Sequence, residues 1–110
     1  MTASRQTVWK TSSPQKLAQV LAQVTDPTIM QNFLRDVMTE KEIIEISSRL
    51  EAARMLSEGK KYTEIIEKTK LSSRTIARIS DWMQNGQGGY ATAVQLIKTH
   101  HAHLSPARAE

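Results

Sequence analysis

An all-α fold is what this sequence predicts, and three observations lead there. Apolar residues recur at three- and four-residue spacing in one segment after another. Helix start and stop signals bracket those segments: Ser13-Pro14, Asp26-Pro27, Thr39 with Glu42, and Gly59. No run alternates apolar and polar residues as a half-buried strand requires.

Taken in order, residues 1–12 are polar around an isolated Trp9 and read as a flexible N-terminal arm. Ser13 before Pro14 starts a first helix, with Leu17, Val20, Leu21 and Val24 on one face. Asp26-Pro27 starts a second, carrying Ile29, Met30, Phe33, Leu34 and Val37. Thr39 and Glu42 have the form of a capping box for a third helix over 39–58. Its stripe is Ile43, Ile46, Leu50, Ala53 and Leu56, and Gly59 ends it. A short helix over 62–68 follows, then a tight break at Thr69-Lys70-Leu71. Ser72 or Ser73 caps a fifth helix with Ile76, Ile79 and Met83, which the glycine-rich run 85–89 stops. A last helix over 90–103 fits Tyr90, Val94, Leu96 and Ile97, leaving 104–110 as a disordered tail. Residues 13–103 therefore read as a single helical domain: 13–58 dimerisation helices, 62–85 a helix-turn-helix, 90–103 a C-terminal helix.

Composition sets the outer bounds. A chain of 110 residues has room for one domain, and small helical domains commonly complete their cores by dimerising. There is no cysteine, which removes disulfides and thiolate chemistry and fits a cytoplasmic location. No apolar run approaches a bilayer span or a signal-peptide core, so no membrane partner is expected. A net charge of +4 is too small to argue for nucleic acid without knowing where it sits.

It is concentrated around the two short helices. Ile65, Leu71, Ile76 and Ile79 would brace them into a rigid corner that projects the second into a DNA major groove. Around this corner Lys60, Lys61, Lys68, Lys70, Arg74 and Arg78 are opposed only by Glu64 and Glu67. Ser72, Ser73, Arg74, Thr75 and Ala77 supply short or guanidinium side chains suited to base edges. Double-stranded DNA is the partner these residues predict. The alternative is a helical protein–protein interaction module that presents the same corner to a protein groove.

Three segments extend the reading. Thr39-Glu-Lys-Glu with the later run ending at Gly59, Lys61-Tyr-Thr-Glu-Ile-Ile, and residues 72–79 with 85–90 resemble the tryptophan-repressor superfamily, nearest its Trp-repressor-like (YerC/YecD-type) branch. The resemblance implies a six-helix subunit, an intertwined homodimer, and a near-palindromic operator with half-sites about 34 Å apart. It implies a transcriptional regulator, a repressor, with no catalysis. Lys70 stands where the family has glycine at the turn, which predicts strain of about 1 kcal/mol if that residue is left-handed. Bulky Ile66 replaces a small residue on the preceding helix.

By the same resemblance, Thr39, Arg49 and Arg78 fall on positions that hold an amino-acid corepressor. An amino-acid-gated, tryptophan-type repressor is thus a further alternative. The residues themselves favour another arrangement, in which Arg49 pairs with Glu45 one turn away, Arg78 faces phosphate and bulky Trp82 fills the cavity. No cofactor is expected beyond such a small-molecule corepressor. His100, His101 and His103 point to different helix faces and predict no metal site. The run Asn85-Gly-Gln-Gly-Gly lacks the strand and lysine of a phosphate loop and reads as a helix stop. Trp9 is expected to pack across the dimer.

Overall fold

A computed structural model describes the backbone of residues 3–108 and the side-chain environment of residues 5–99. Helices make up the ordered structure, and no strand occurs among the described residues. After a short helix α1 (Ala3–Gln6) and a 3-10 turn (Thr7–Lys10) come six longer helices. These are α2 (Ser12–Gln23), α3 (Pro27–Val37), α4 (Glu40–Ser57), α5 (Tyr62–Thr69), α6 (Ser73–Asn85) and α7 (Gly89–Arg108).

Most starts and stops follow from local chemistry. Asp26 accepts from the amides of Thr28 and Ile29 at 2.8 and 3.2 Å, and Pro27 occupies the first helical position. At α4 the Thr39 amide donates to Glu42 at 2.9 Å while the Glu42 amide donates to the Thr39 hydroxyl at 3.1 Å, a reciprocal capping box. Gly59 ends that helix at φ +79°, with its amide on the Leu56 carbonyl and the Lys60 amide on the Met55 carbonyl. This is the Schellman arrangement. At Gly86 a Cβ would lie 2.4 Å from the Trp82 carbonyl oxygen, so a side chain there would force the end of α6 to move.

The two ends of the chain differ from expectation. The arm is not extended: residues 3–10 form helical turns, closed where the Thr11 hydroxyl and the Gln15 amide donate to the Val8 and Trp9 carbonyls. With Thr11 so engaged, α2 begins at Ser12 and Pro14 falls inside its first turn, where a missing amide hydrogen costs little. At the other end α7 continues to Arg108, beyond the expected stop at 103, through a segment containing the helix formers Ala102 and Leu104.

Contacts divide the chain into two units, residues 1–43 and 44–110, rather than the single domain expected over 13–103. The boundary falls inside α4 and not at the end of the expected dimerisation helices. In the first unit no residue with a described side chain is buried. Its stripes are exposed instead, Leu17 at 48% and Ile29 and Val37 each at 56%. The second unit holds the core: Ala52, Ala53 and Met55 from α4, Ile65 from α5, Ile76 and Ile79 from α6, and Val94 from α7. Only the last turns of α4 contribute. Ile44 and Ile46, near its start, remain 56% exposed, so the buried face is not the regular stripe the spacing predicts.

Candidate nucleic-acid interface

The helix-turn-helix is built on apolar residues of zero exposure. Ile65, Ile76 and Ile79 are fully buried, and Leu71 packs against them from the turn. At about 25 cal/mol per Å², burying such side chains stabilises the corner by about 2 kcal/mol each. The two helices are thereby held as one piece.

The turn rests on a residue that periodicity does not reveal. Thr69 is 8% exposed; its hydroxyl donates to the Ile65 carbonyl at 2.7 Å and accepts from the Leu71 amide at 3.2 Å. One side chain thus ties the last turn of α5 to the chain beyond the break. Lys70 follows at φ 65°, ψ 14°, in the left-handed region. For a residue bearing a Cβ this stores about 1 kcal/mol of strain. The Lys70 amide donates to the Ile66 carbonyl at 2.8 Å and its side chain is exposed. Ile66 is partly buried against the core. At the start of α5 the Lys61 amide donates to Glu64 at 3.3 Å. Lysine has no acceptor to return the bond, so only half a capping box forms.

At the start of α6, Ser72 is the cap. Its oxygen accepts from the Thr75 amide at 3.1 Å, and its hydroxyl donates to the Thr75 hydroxyl oxygen at 3.1 Å. Thr75 is half-buried and belongs to this cap, whereas Ser73, Arg74, Ala77 and Arg78 are exposed. Arg74, Ala77, Arg78 and Asp81 follow the helical repeat along one exposed stripe, opposite buried Ile76 and Ile79. Asp81 accepts from the Asn85 side chain at 2.9 Å.

The basic set is less uniform than its sequence implies. Lys60, Lys61, Lys70, Arg74 and Arg78 are exposed and have no ion-pair partner among the described residues. Lys68 does have one, for its ammonium lies 3.9 Å from Glu51 of α4. The carboxylates near the corner therefore include one contributed by another helix. Glu51 also accepts from Arg54, which reaches Glu58 at 2.7 Å on its other side. The hydrogen bond from Arg54 leads in holding the Glu51 carboxyl below its ordinary value of 4.5; burial opposes it, and the charges of Arg54 and Lys68 add to it. Arg54 is raised in turn, chiefly by its hydrogen bond to Glu51.

The positions proposed for a corepressor have other engagements. Arg49 pairs with Glu45 at 3.0 Å, as the four-residue spacing predicts, although its Nε is buried with no hydrogen-bond partner. Thr39 serves the capping box of α4. Arg78 stands exposed on α6, and Trp82, one turn on, is half-buried. No group of metal-ligating side chains occurs among the described residues, and the side chains of His100, His101 and His103 lie outside them. Trp9 sits in the 3-10 turn at 42% exposure. No helix among the described residues is long and apolar enough to cross a membrane.

Comparison with known proteins gives three findings. The family described as Trp repressor protein matches residues 12–98. Over 66 residues, 60% of this chain, the sequence is 38% identical to the uncharacterized protein YerC of Bacillus subtilis (strain 168), and the match spans 64% of that relative's length. Among solved structures the chain is similar to a TrpR like protein from Eubacterium eligens, with a TM-score of 0.77 and 33% identity over 84% of this chain and 95% of that one.

Proposed function

On the premise that this chain belongs to the Trp repressor protein family, we propose that it is a sequence-specific DNA-binding transcriptional regulator, a repressor, that performs no catalysis. The observation that carries this reading is the corner formed by α5 and α6. Its rear is locked by Ile65, Ile76 and Ile79, while Lys60, Lys61, Lys70, Arg74 and Arg78 stand exposed without anionic partners. Unpaired cations on a rigid projecting element supply the phosphate contacts that duplex binding needs. Repression follows from occupying promoter DNA in the cytoplasm and needs no bond to be made or broken.

The protein acts as a homodimer in this reading. The exposed stripes of α2 and α3 support it, because a segment with that much uncovered apolar surface is stabilised by a second copy. A twofold pair would present two α6 helices to a near-palindromic operator, with half-sites about 34 Å apart. Binding is independent of an amino-acid corepressor. The commitment of Arg49 to Glu45 and of Thr39 to its cap supports this.

Salt titration of binding to duplex DNA tests the function. Neutralising about four to six phosphates per protomer pair should make log K fall with log salt at a slope of about −4 to −5. A helical module that docks on a protein would show no such slope. Added amino acids should leave the DNA affinity unchanged; a gain of tenfold or more would establish gating.

A further inference from the structure

The arginines of this chain fall into two groups. Arg35 donates to the Met38 carbonyl at 2.9 Å, Arg49 pairs with Glu45, Arg54 bridges Glu51 and Glu58, and Arg5 also has a partner. Arg74 and Arg78, on α6, are the arginines left without one among the described residues. They are not equivalent. Arg74 lies in the first turn of α6, next to the Ser72 cap, on the part of a recognition helix that reaches deepest into a groove. Arg78 is one turn further along, towards Asp81, whose carboxylate is repelled by phosphate.

We propose that Arg74 is the specificity-determining residue of α6, taking the O6 and N7 edge of a guanine in each half-site, with Ala77 against the methyl group of a thymine in the neighbouring base pair. This rests on the DNA-binding reading above and assigns the bases to it. A guanidinium forks onto two acceptors, and in the major groove guanine is the base that offers two on one edge. A free arginine with no internal acceptor to leave pays no broken ion pair on entering the groove. Ala77 lies three residues on, about 4.5 Å along the helix axis, close to the roughly 3.4 Å of one base step. Its single methyl group leaves room for a thymine methyl and for the longer Arg74 beside it. Arg78 is left to hold phosphate.

The experiment selects duplexes from a random pool with the full-length protein and with Arg74→Ala, Arg74→Gln and Arg78→Ala. Affinities for the selected site and its single-base variants are then measured at fixed salt. The native protein should require guanine at one position of each half-site with thymine beside it, losing about tenfold or more when that guanine is replaced. Arg74→Ala should lose that preference, and Arg74→Gln should move it to adenine, whose N6 and N7 match an amide. Arg78→Ala should weaken all sequences alike and lower the salt slope by about 1. If Arg74→Ala and Arg74→Gln weaken every sequence equally, Arg74 holds phosphate and the base assignment falls while the regulator reading stands. If the native protein shows no salt-dependent duplex binding, the regulator reading itself falls, and this assignment with it.

Discussion

Residues 1–43 and 44–110 are written in the same helical grammar yet reach different ends. Both carry apolar stripes, capped starts and polar outer faces. In the second unit those stripes meet, and Ile65, Ile76 and Ile79 lose all contact with solvent. In the first, Leu17, Val20, Ile29 and Val37 stay about half exposed, and α2 and α3 hold no buried residue. Periodicity reports that a helix has a face to bury, but it is silent on whether the partner surface belongs to the same chain. The difference teaches where cooperativity resides: one unit carries its own core, and the other is completed by a second copy in the function proposed above.

The largest effect should come from breaking the core of the second unit. Ile76→Ala removes a side chain of zero exposure from the centre of the cluster and should cost about 2–5 kcal/mol, read by urea denaturation. A loss below about 1 kcal/mol would mean that the corner is not locked as described. The corresponding change in the first unit, Leu17→Ala, should act on association instead. Sedimentation over a range of concentrations should show the dissociation constant of the pair raised by about tenfold or more, with the helical content of a saturated sample unchanged. An unaltered profile would remove α2 from the interface.

The smallest effect concerns acid. The folded pKa of Glu51 is depressed, so its contribution to stability is complete above the ordinary carboxylate value of 4.5 and is lost as pH falls through the lower folded value. Stability of the native protein should therefore decline below about pH 4.5 more steeply than that of Glu51→Gln, which has no carboxylate to protonate at this position. At neutral pH the same substitution should cost about 1 kcal/mol or less, since the Glu51–Arg54 pair is partly open to solvent. Parallel acid limbs for the two proteins would show that the network of Arg54 and Lys68 contributes nothing specific.

Much of the helical plan was legible because its signals act over three or four residues. Asp26-Pro27, the Thr39–Glu42 box, Gly59 and Ser72 each satisfy a helix end from within a turn of it, so their neighbours in sequence suffice. The brace of Ile65, Leu71, Ile76 and Ile79 was legible for the same reason, as two short amphipathic runs across a tight turn. The left-handed Lys70 was anticipated only through a resemblance, since nothing in a lysine announces that conformation. Thr69 escaped notice because a threonine at the end of a helix looks like any surface residue until its hydroxyl is found between two backbone groups.

What remained for the tertiary structure was every relation between segments distant in sequence. Lys68 meets Glu51 across seventeen positions, and charge counting along a local window leaves such a carboxylate out. Arg74 and Arg78 stand free for the complementary reason: no other element brings an acid to that side of α6. Start signals, stripes and caps are properties of a few consecutive residues and can be read from them. Burial and charge pairing are properties of surfaces brought together by packing, and only the folded chain decides which surfaces meet.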